Sequence, residues 1–260
     1  MTARFLTPQL AVTNLDVPID NLPSDLDGMT IAHLSDLHFG RGGWFPIHFR
    51  RTLDTVQTLD PDVIVNTGDF MYKWPPASTF RSDVEAIAAL GIPRVSILGN
   101  HDYYGGPEPA CDLIRTLRDT GETALFNEPH EVRHGSAALT FVGLDDDNPE
   151  SRFERGIDRL LAAPRPRIAL IHEPDLAERL PPDSADLVLA GHTHGGQIAL
   201  PGLRPWIVRH FCGSGYVEGC YVVNGNRMYV NRGLGCVGLP LRFRAAPELA
   251  AVRLRRVDHK

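Results

Sequence analysis

The chain has no apolar run near the roughly 18 residues that a membrane-spanning helix needs. Residues 1–8 hold no apolar stretch of the signal-peptide kind, so the expectation is a soluble, cytoplasmic chain. A basic surplus is also missing: 32 acidic residues stand against 26 basic ones, for a formal charge of -6. Non-specific nucleic-acid binding depends on basic surface, so no stable nucleic-acid partner is expected. Cysteine is scarce, at four in 260 residues, which excludes a disulfide scaffold. Cys212, Cys220 and Cys236 lie near one another with His210 beside the first, but no Cys-x-x-Cys pair occurs, so they read as ordinary thiols rather than a zinc site. Hydrophobic residues make up 43% and charged residues 22%, without a block of either sign. That composition excludes a disordered chain or a fibre and suits one domain spanning residues 1–260.

What is present is a repeated pattern: a short apolar run that ends in a polar cluster. Thr30–Ser35 leads into Asp36-Leu37-His38, and Val63–Thr67 into Gly68-Asp69. Val95–Leu98 leads into Gly99-Asn100-His101-Asp102, Ile168–Ile171 into His172, and Leu187–Ala190 into Gly191-His192-Thr193-His194. Such runs read as buried strands, and in α/β sheets functional groups gather beyond the carboxyl ends of the strands. Helical stripes lie between them: Phe49, Leu53 and Val56; Phe80, Val84, Ile87 and Ala88; Ala110, Leu113, Ile114 and Leu117; and Phe153, Ile157, Leu160 and Leu161. Beyond Gly195-Gly196 the character becomes mostly β. A strand is predicted at Gln197–Leu200, a hairpin through Asn224-Gly225, and a last strand at Leu249–Leu254.

The five strand ends supply Asp36, His38, Asp69, Asn100, His172, His192 and His194. Carboxylate, imidazole and neutral amide suit a first-row divalent ion such as Mn, Fe or Zn. Seven donors exceed the needs of one such ion and fit two, with one carboxylate shared. A metal pair roughly 3.5–4 Å apart clamps the attacking and leaving oxygens of a phosphoryl displacement.

These blocks resemble the calcineurin-like metallophosphoesterase superfamily. The resemblance implies an α/β fold, a four-layer α/β/β/α sandwich of two mixed sheets. It also implies a binuclear centre in which Asp36, His38 and His194 bind one ion, Asn100, His172 and His192 bind the other, and Asp69 bridges them. His101 would then serve as general acid, or as a phosphate contact, while a hydroxide between the ions attacks phosphorus. In many relatives an acidic residue soon after Gly-Asp orients the catalytic histidine. Here Phe70-Met71-Tyr72-Lys73-Trp74 follows, so the orienting role is open; Asp102 is a candidate on adjacency, with capping of the following segment as its alternative.

Gly191–Gln197, Tyr229–Gly235 and Pro240–Arg244 are similar to a branch of bacterial membrane-associated phosphohydrolases, some of which cleave the pyrophosphate of UDP-2,3-diacylglucosamine. That likeness implies a small-molecule or lipid-linked phosphate substrate and a peripheral membrane contact. Trp44-Phe45-Pro46, Trp74-Pro75-Pro76 and Trp206-Ile207-Val208 suit a lipid-facing rim. Arg232 and Arg242 are candidate contacts to a second phosphate, with structural pairing as their alternative. The rival functions are a nuclease of the same superfamily, disfavoured by the acidic balance, a cyclic-nucleotide phosphodiesterase of that superfamily, and a non-catalytic binding scaffold, disfavoured by the complete donor set and His101.

Overall fold

The apolar runs form strands because their consecutive residues are covered on both faces. In β2 (Thr30–Leu34), β3 (Val63–Asn66) and β4 (Arg94–Ser96), all but the first residue of β2 are buried, as parallel strands between two layers require. The computed structural model describes residues 9–39, 45–73, 80–145 and 152–257. Two strands missed by the sequence pattern, β1 (Ala11–Asp20) and the two-residue β5 (Thr123–Ala124), border this sheet, and the expected β12 (Glu248–Val257) lies between β1 and β2. Its order is β1-β12-β2-β3-β4-β5, with the β12–β2 pair antiparallel and the others parallel.

The second sheet runs β10-β11-β9-β8-β7-β6. It contains β6 (Pro129–His134), β7 (Ala137–Gly143), β8 (Arg167–Leu170), β9 (Leu187–Ala190), β10 (Gly219–Val223) and β11 (Asn226–Val230). The expected hairpin joins β10 to β11, with Asn224 and Gly225 both at positive φ, as its tight turn requires.

Apolar side chains fill three spaces. Val65, Ile97, Phe141, Leu170, Leu189 and Val252 pack between the sheets. Helices α1 (Phe45–Leu59), α2 (Phe80–Ala88) and α3 (Pro107–Asp119) cover the outer face of the first sheet through Phe49, Val84 and Leu113. Helix α4 (Arg152–Ala162) covers the second through Phe153 and Leu160. The layers are therefore α/β/β/α, as the resemblance implied. Leu161 departs from its expected stripe and is exposed.

The predicted strand at Gln197–Leu200 does not form. Its backbone turns back on itself, and only Ile198 makes a ladder contact, with Phe243. Helix α5 (Arg204–Cys212) also interrupts the expected β region. It exposes Trp206 and Phe211, so no regular apolar stripe announced it.

One histidine is wholly internal without serving the site. His33 is fully buried on β2, with Nε2 at 3.0 Å from the Thr67 hydroxyl, and burial pushes its pKa down to about 3. Its folded value lies below the unfolded one, so the unfolded chain binds the extra proton. The stability due to neutral His33 is complete above about pH 6.5 and declines as pH falls towards 3. Urea unfolding of His33→Leu between pH 6.5 and 4 is expected to show a shallower loss, by up to about 1.4 kcal/mol per pH unit. An unchanged slope would mean that His33 does not carry it.

Candidate metal centre

The carboxyl ends of β2, β3, β4, β8 and β9 open on one place, and the loops leaving them carry the seven candidate donors. Asp36, His38, Asp69, His192 and His194 all have positive φ, a region costly for residues with side chains. The loops are cross-braced in compensation. Asp36 N–H donates to the Gly68 carbonyl (2.9 Å), His38 N–H to Asp69 (3.0 Å), and His192 N–H to Asp36 Oδ2 (3.1 Å). Gly99 lies so near that a Cβ there would meet Asp69 N at 2.6 Å and His172 Cε1 at 2.7 Å.

The donors fall into two groups. Donor atoms of Asp36, His38, Asp69 and His194 lie within 4.8 Å of one another, all buried. His38 Nε2 and His194 Nε2 are 3.1 Å apart, and His194 Nε2 is 3.4 Å from Asp36 Oδ1. In the second group Asn100 Oδ1 is 3.1 Å from both His172 Nε2 and His192 Nδ1, which are 3.3 Å from each other. Asp69 Oδ2 joins the groups, at 3.4 Å from His38 Nε2 and from His172 Nε2. Donors held at about 2.1 Å by one ion lie about 3.0–3.5 Å apart, so the close pairs in each group match the spacing of a coordination sphere. Asp36 Oδ1 is buried without a hydrogen-bond partner, an atom that a cation would satisfy.

Three imidazoles are fixed from behind. His38 Nδ1–H donates to the Met71 carbonyl (3.2 Å), His172 Nδ1–H to Thr67 (2.7 Å) and His192 Nε2–H to Cys212 (3.0 Å). Each bond commits one nitrogen as donor and turns the other's lone pair inward. Burial lowers His38 to about 4 and carries His194 well below the usual histidine range, so both are neutral near pH 7. Burial alone would raise Asp69, but His172, with His38 and His101, holds it well below the carboxylate range.

His101 stands beside both groups. Its backbone N–H donates to Asp69 Oδ1 (2.9 Å), and its Nδ1–H donates to the Tyr72 carbonyl (3.0 Å). Nε2 is thereby left for proton exchange. The expected orienting role of Asp102 is not what the structure shows. Its carboxylate accepts from the backbone of Gly99 (3.0 Å), Phe70 (3.2 Å) and Met71 (2.9 Å), fastening two loops together. Burial and Asp69 push Asp102 up to about 7. Tyr104, overlooked in the sequence, lies with its ring 4.3 Å from that of His101 and its hydroxyl 3.1 Å from Asn100 Nδ2. Its place three residues after His101 was the available signal.

Neither candidate phosphate contact, Arg232 or Arg242, is among the residues that line the cavity beside the donors. Arg242 is fully buried; its guanidinium donates to the Gly235 carbonyl (2.8 and 2.6 Å) and to the His194 and Ala245 carbonyls (3.3 Å each), and its Nη2 lies 3.1 Å from His194 Nδ1. Arg232 pairs with Glu248 (3.2 Å) and Glu218 (3.7 Å). Structural pairing, their alternative reading, accounts for both. Among the described residues, the metal-competent cluster contains no cysteine, and burial raises Cys212 to about 11.

A cavity of about 550 Å³ opens at this place. Asp69, Asn100, His101, His192 and His194 line one part, and Ile198, Ile207, Phe211, Val237 and Leu239 another.

Residues 29–196 match the calcineurin-like phosphoesterase family, and the chain belongs to it. It is therefore a metal-dependent phosphoesterase, a hydrolase of phosphate esters. It is 33% identical to the metallophosphoesterase YkuE of Bacillus subtilis (strain 168), across 97% of this chain and 88% of that protein. It is 28% identical to the phosphodiesterase YaeI of Escherichia coli (strain K12), across 86% of this chain and 81% of that protein. A transmembrane protein with a metallophosphoesterase domain from Danio rerio is 30% identical, but this chain spans only 57% of its length. Among the described residues no helix is long and apolar enough to cross a membrane. The crystal structure of TT1561 from Thermus thermophilus shares the fold, with a TM-score of 0.56 at 11% identity, covering 79% of this chain and 90% of that one.

Elemental analysis of the active protein is expected to give two metal ions per chain. Asp69→Asn should lower both, because the shared oxygen loses its charge. Gly99→Ala should do the same by displacing Asp69 and His172. One ion per chain in active protein would rule out the paired centre.

Proposed function

We propose that this chain, acting as one domain over residues 1–260, hydrolyses a phosphate ester or pyrophosphate at a binuclear centre. Asp36, His38 and His194 hold one ion, Asn100, His172 and His192 the other, and Asp69 bridges. The single observation behind this is the placing of Asp69 Oδ2 at 3.4 Å from a histidine of each donor group. Mn, Fe and Zn all suit the donors; when bound, the pair supplies an activated water and positive charge towards the phosphate. Asn100 contributes an oxygen without a further negative charge, which favours an anionic substrate.

His101 is the general acid in this reading. The Tyr72 carbonyl holds Nδ1–H, so Nε2 can present a proton to the departing oxygen. His101→Ala is expected to keep its metals and lose about 10²–10⁴-fold in turnover on alkyl phosphodiesters. The loss should shrink for nitrophenyl esters, whose leaving group needs no proton. Equal losses on both would instead make His101 a phosphate contact.

The substrate is proposed to be small, with a lipid-linked phosphate as the finer reading. Support comes from the apolar side chains that line the cavity, of which Phe211 and Leu239 are exposed, and from exposed Trp206, next to cavity-lining Ile207 on α5, and exposed Leu203 just before that helix. Trp206 stacks on His210 at 4.9 Å, and tryptophan suits the boundary between water and lipid. Trp44 and Trp74, the other rim candidates, lie outside the described residues. Peripheral contact with a membrane predicts that the protein sediments with anionic phospholipid vesicles, and that Trp206→Ser with Phe211→Ser releases it. Wild-type protein left in the supernatant at low salt would remove the membrane contact and leave a water-soluble ester as the substrate.

A further inference from the structure

Gln197 has no part in the metal chemistry, yet its conformation is among the most strained near the site. With φ 45° and ψ -51°, it centres a turn of the rare positive-φ γ kind, closed by Ile198 N–H donating to the Gly196 carbonyl. A glutamine gains nothing from this backbone unless its side chain is needed where the turn sends it.

That side chain is fully engaged. Its Oε1 accepts from Val237 N–H (2.7 Å), and its Nε2 donates to the Val237 carbonyl (2.8 Å) and the Leu239 carbonyl (3.1 Å). Donor and acceptor ends meet complementary partners, so the amide has one orientation only. Its backbone is equally held: N–H donates to the His194 carbonyl (2.9 Å), and its carbonyl accepts from Phe243 N–H (2.8 Å). Gln197 thus grips residues 237–239 as a neighbouring strand would, three positions after His194.

The opposite wall is tied to the same short segment. Arg204, in the first turn of α5, donates from Nε to the Gly195 carbonyl (2.8 Å) and pairs with Glu218. A Cβ on Gly196 would meet Val208 Cγ2 at 3.2 Å and the Arg204 carbonyl oxygen at 3.8 Å, so the helix packs against this backbone. Ile207 and Phe211 on α5 line the same cavity as Val237 and Leu239 on the gripped loop. These apolar side chains share that cavity with Asn100, His101, His192 and His194, so an apolar trough adjoins the donors. Apolar walls braced to the loop that carries two donor histidines define a subsite at a fixed offset from the reacting phosphorus.

We propose that Gln197 is a specificity-determining residue: by holding residues 237–239 it sets one wall of a trough that receives the hydrocarbon part of a phosphodiester. The proposal rests on the phosphohydrolase reading above. It goes further by assigning the hydrocarbon to the α5/237–239 trough rather than to the outer rim, and its selection to one side chain. Gln197 is a positioning residue, acting through Val237 and Leu239.

The test uses the full chain loaded with Mn and a series of p-nitrophenyl alkyl phosphodiesters from methyl to octyl. In the wild type, kcat/KM is expected to rise along the series by up to about fourfold per methylene, the equivalent of about 0.8 kcal/mol for each buried CH₂. Gln197→Met removes all three side-chain bonds at similar length and should flatten that rise. Its increase in KM should grow with chain length, while its kcat ratio to wild type stays constant along the series. Gln197→Glu, which keeps the acceptor for Val237 N–H but loses both donors, should flatten it too and serves if the methionine variant does not fold. A wild-type series without a rise would overturn the trough, and an equal rise in wild type and folded variants would overturn the role of Gln197. Failure of the metal-loaded wild type to hydrolyse even the methyl ester would instead overturn the phosphohydrolase reading.

Discussion

A carboxylate that is 1% exposed has to be compensated from within the protein, and at Asp69 the compensation comes from loops far apart in sequence. One oxygen accepts from the backbone of His101; the other lies 3.4 Å from a histidine of the first sheet and from one of the second. Both sheets must be in place before this charge is tolerable, because a buried carboxylate without partners is strongly disfavoured. The same contacts carry His101 to the edge of the donor set, so one charge organises both the centre and the residue that serves it.

The compensation reaches outward by hydrogen bonds to main chain. Carbonyls of Met71, Thr67 and Cys212 choose which nitrogen each of three histidines turns inward, and Asp102 fastens the Phe70–Met71 backbone to Gly99. Main-chain partners move less than side chains do, which suits a site whose donors must stay within tenths of an ångström of their places. Positive φ at five of the seven donors has the same origin. Sharp left-handed corners let one short loop present two side chains to a single point, and packing against the second sheet holds them there.

Much of this was legible in the chain. Apolar runs followed by Asp, His and Asn located five strand ends, and the stripes at Phe80, Ala110 and Phe153 located α2, α3 and α4. β1 carries a different strand signal, Leu15, Val17 and Ile19 alternating with exposed Asp16, Pro18 and Asp20, which a pattern of unbroken apolar runs passes over and which Pro18 weakens. α5 was hidden because the helix leaves Trp206 and Phe211 in the open, and no stripe separates an inner from an outer face. Gln197–Leu200 has the composition of a strand, but Gly195 and Gly196 permit a reversal that composition cannot foretell.

The sequence by itself determined the kind of chemistry: two carboxylates, four imidazoles and an amide, each following an apolar run, admit a pair of divalent ions. Donor type and local spacing are properties of side chains and their neighbours, and they survive without knowledge of the fold. Tertiary structure alone decided the rest. It buried Arg242 against the Gly235 carbonyl, paired Arg232 with two glutamates, gave His101 the Tyr72 carbonyl instead of Asp102, and set Gln197 against residues forty positions away. Which group lies within 3 Å of a given donor depends on strand register and on how two sheets face each other. Those are set by the packing of the whole core, and no local stretch of sequence contains them.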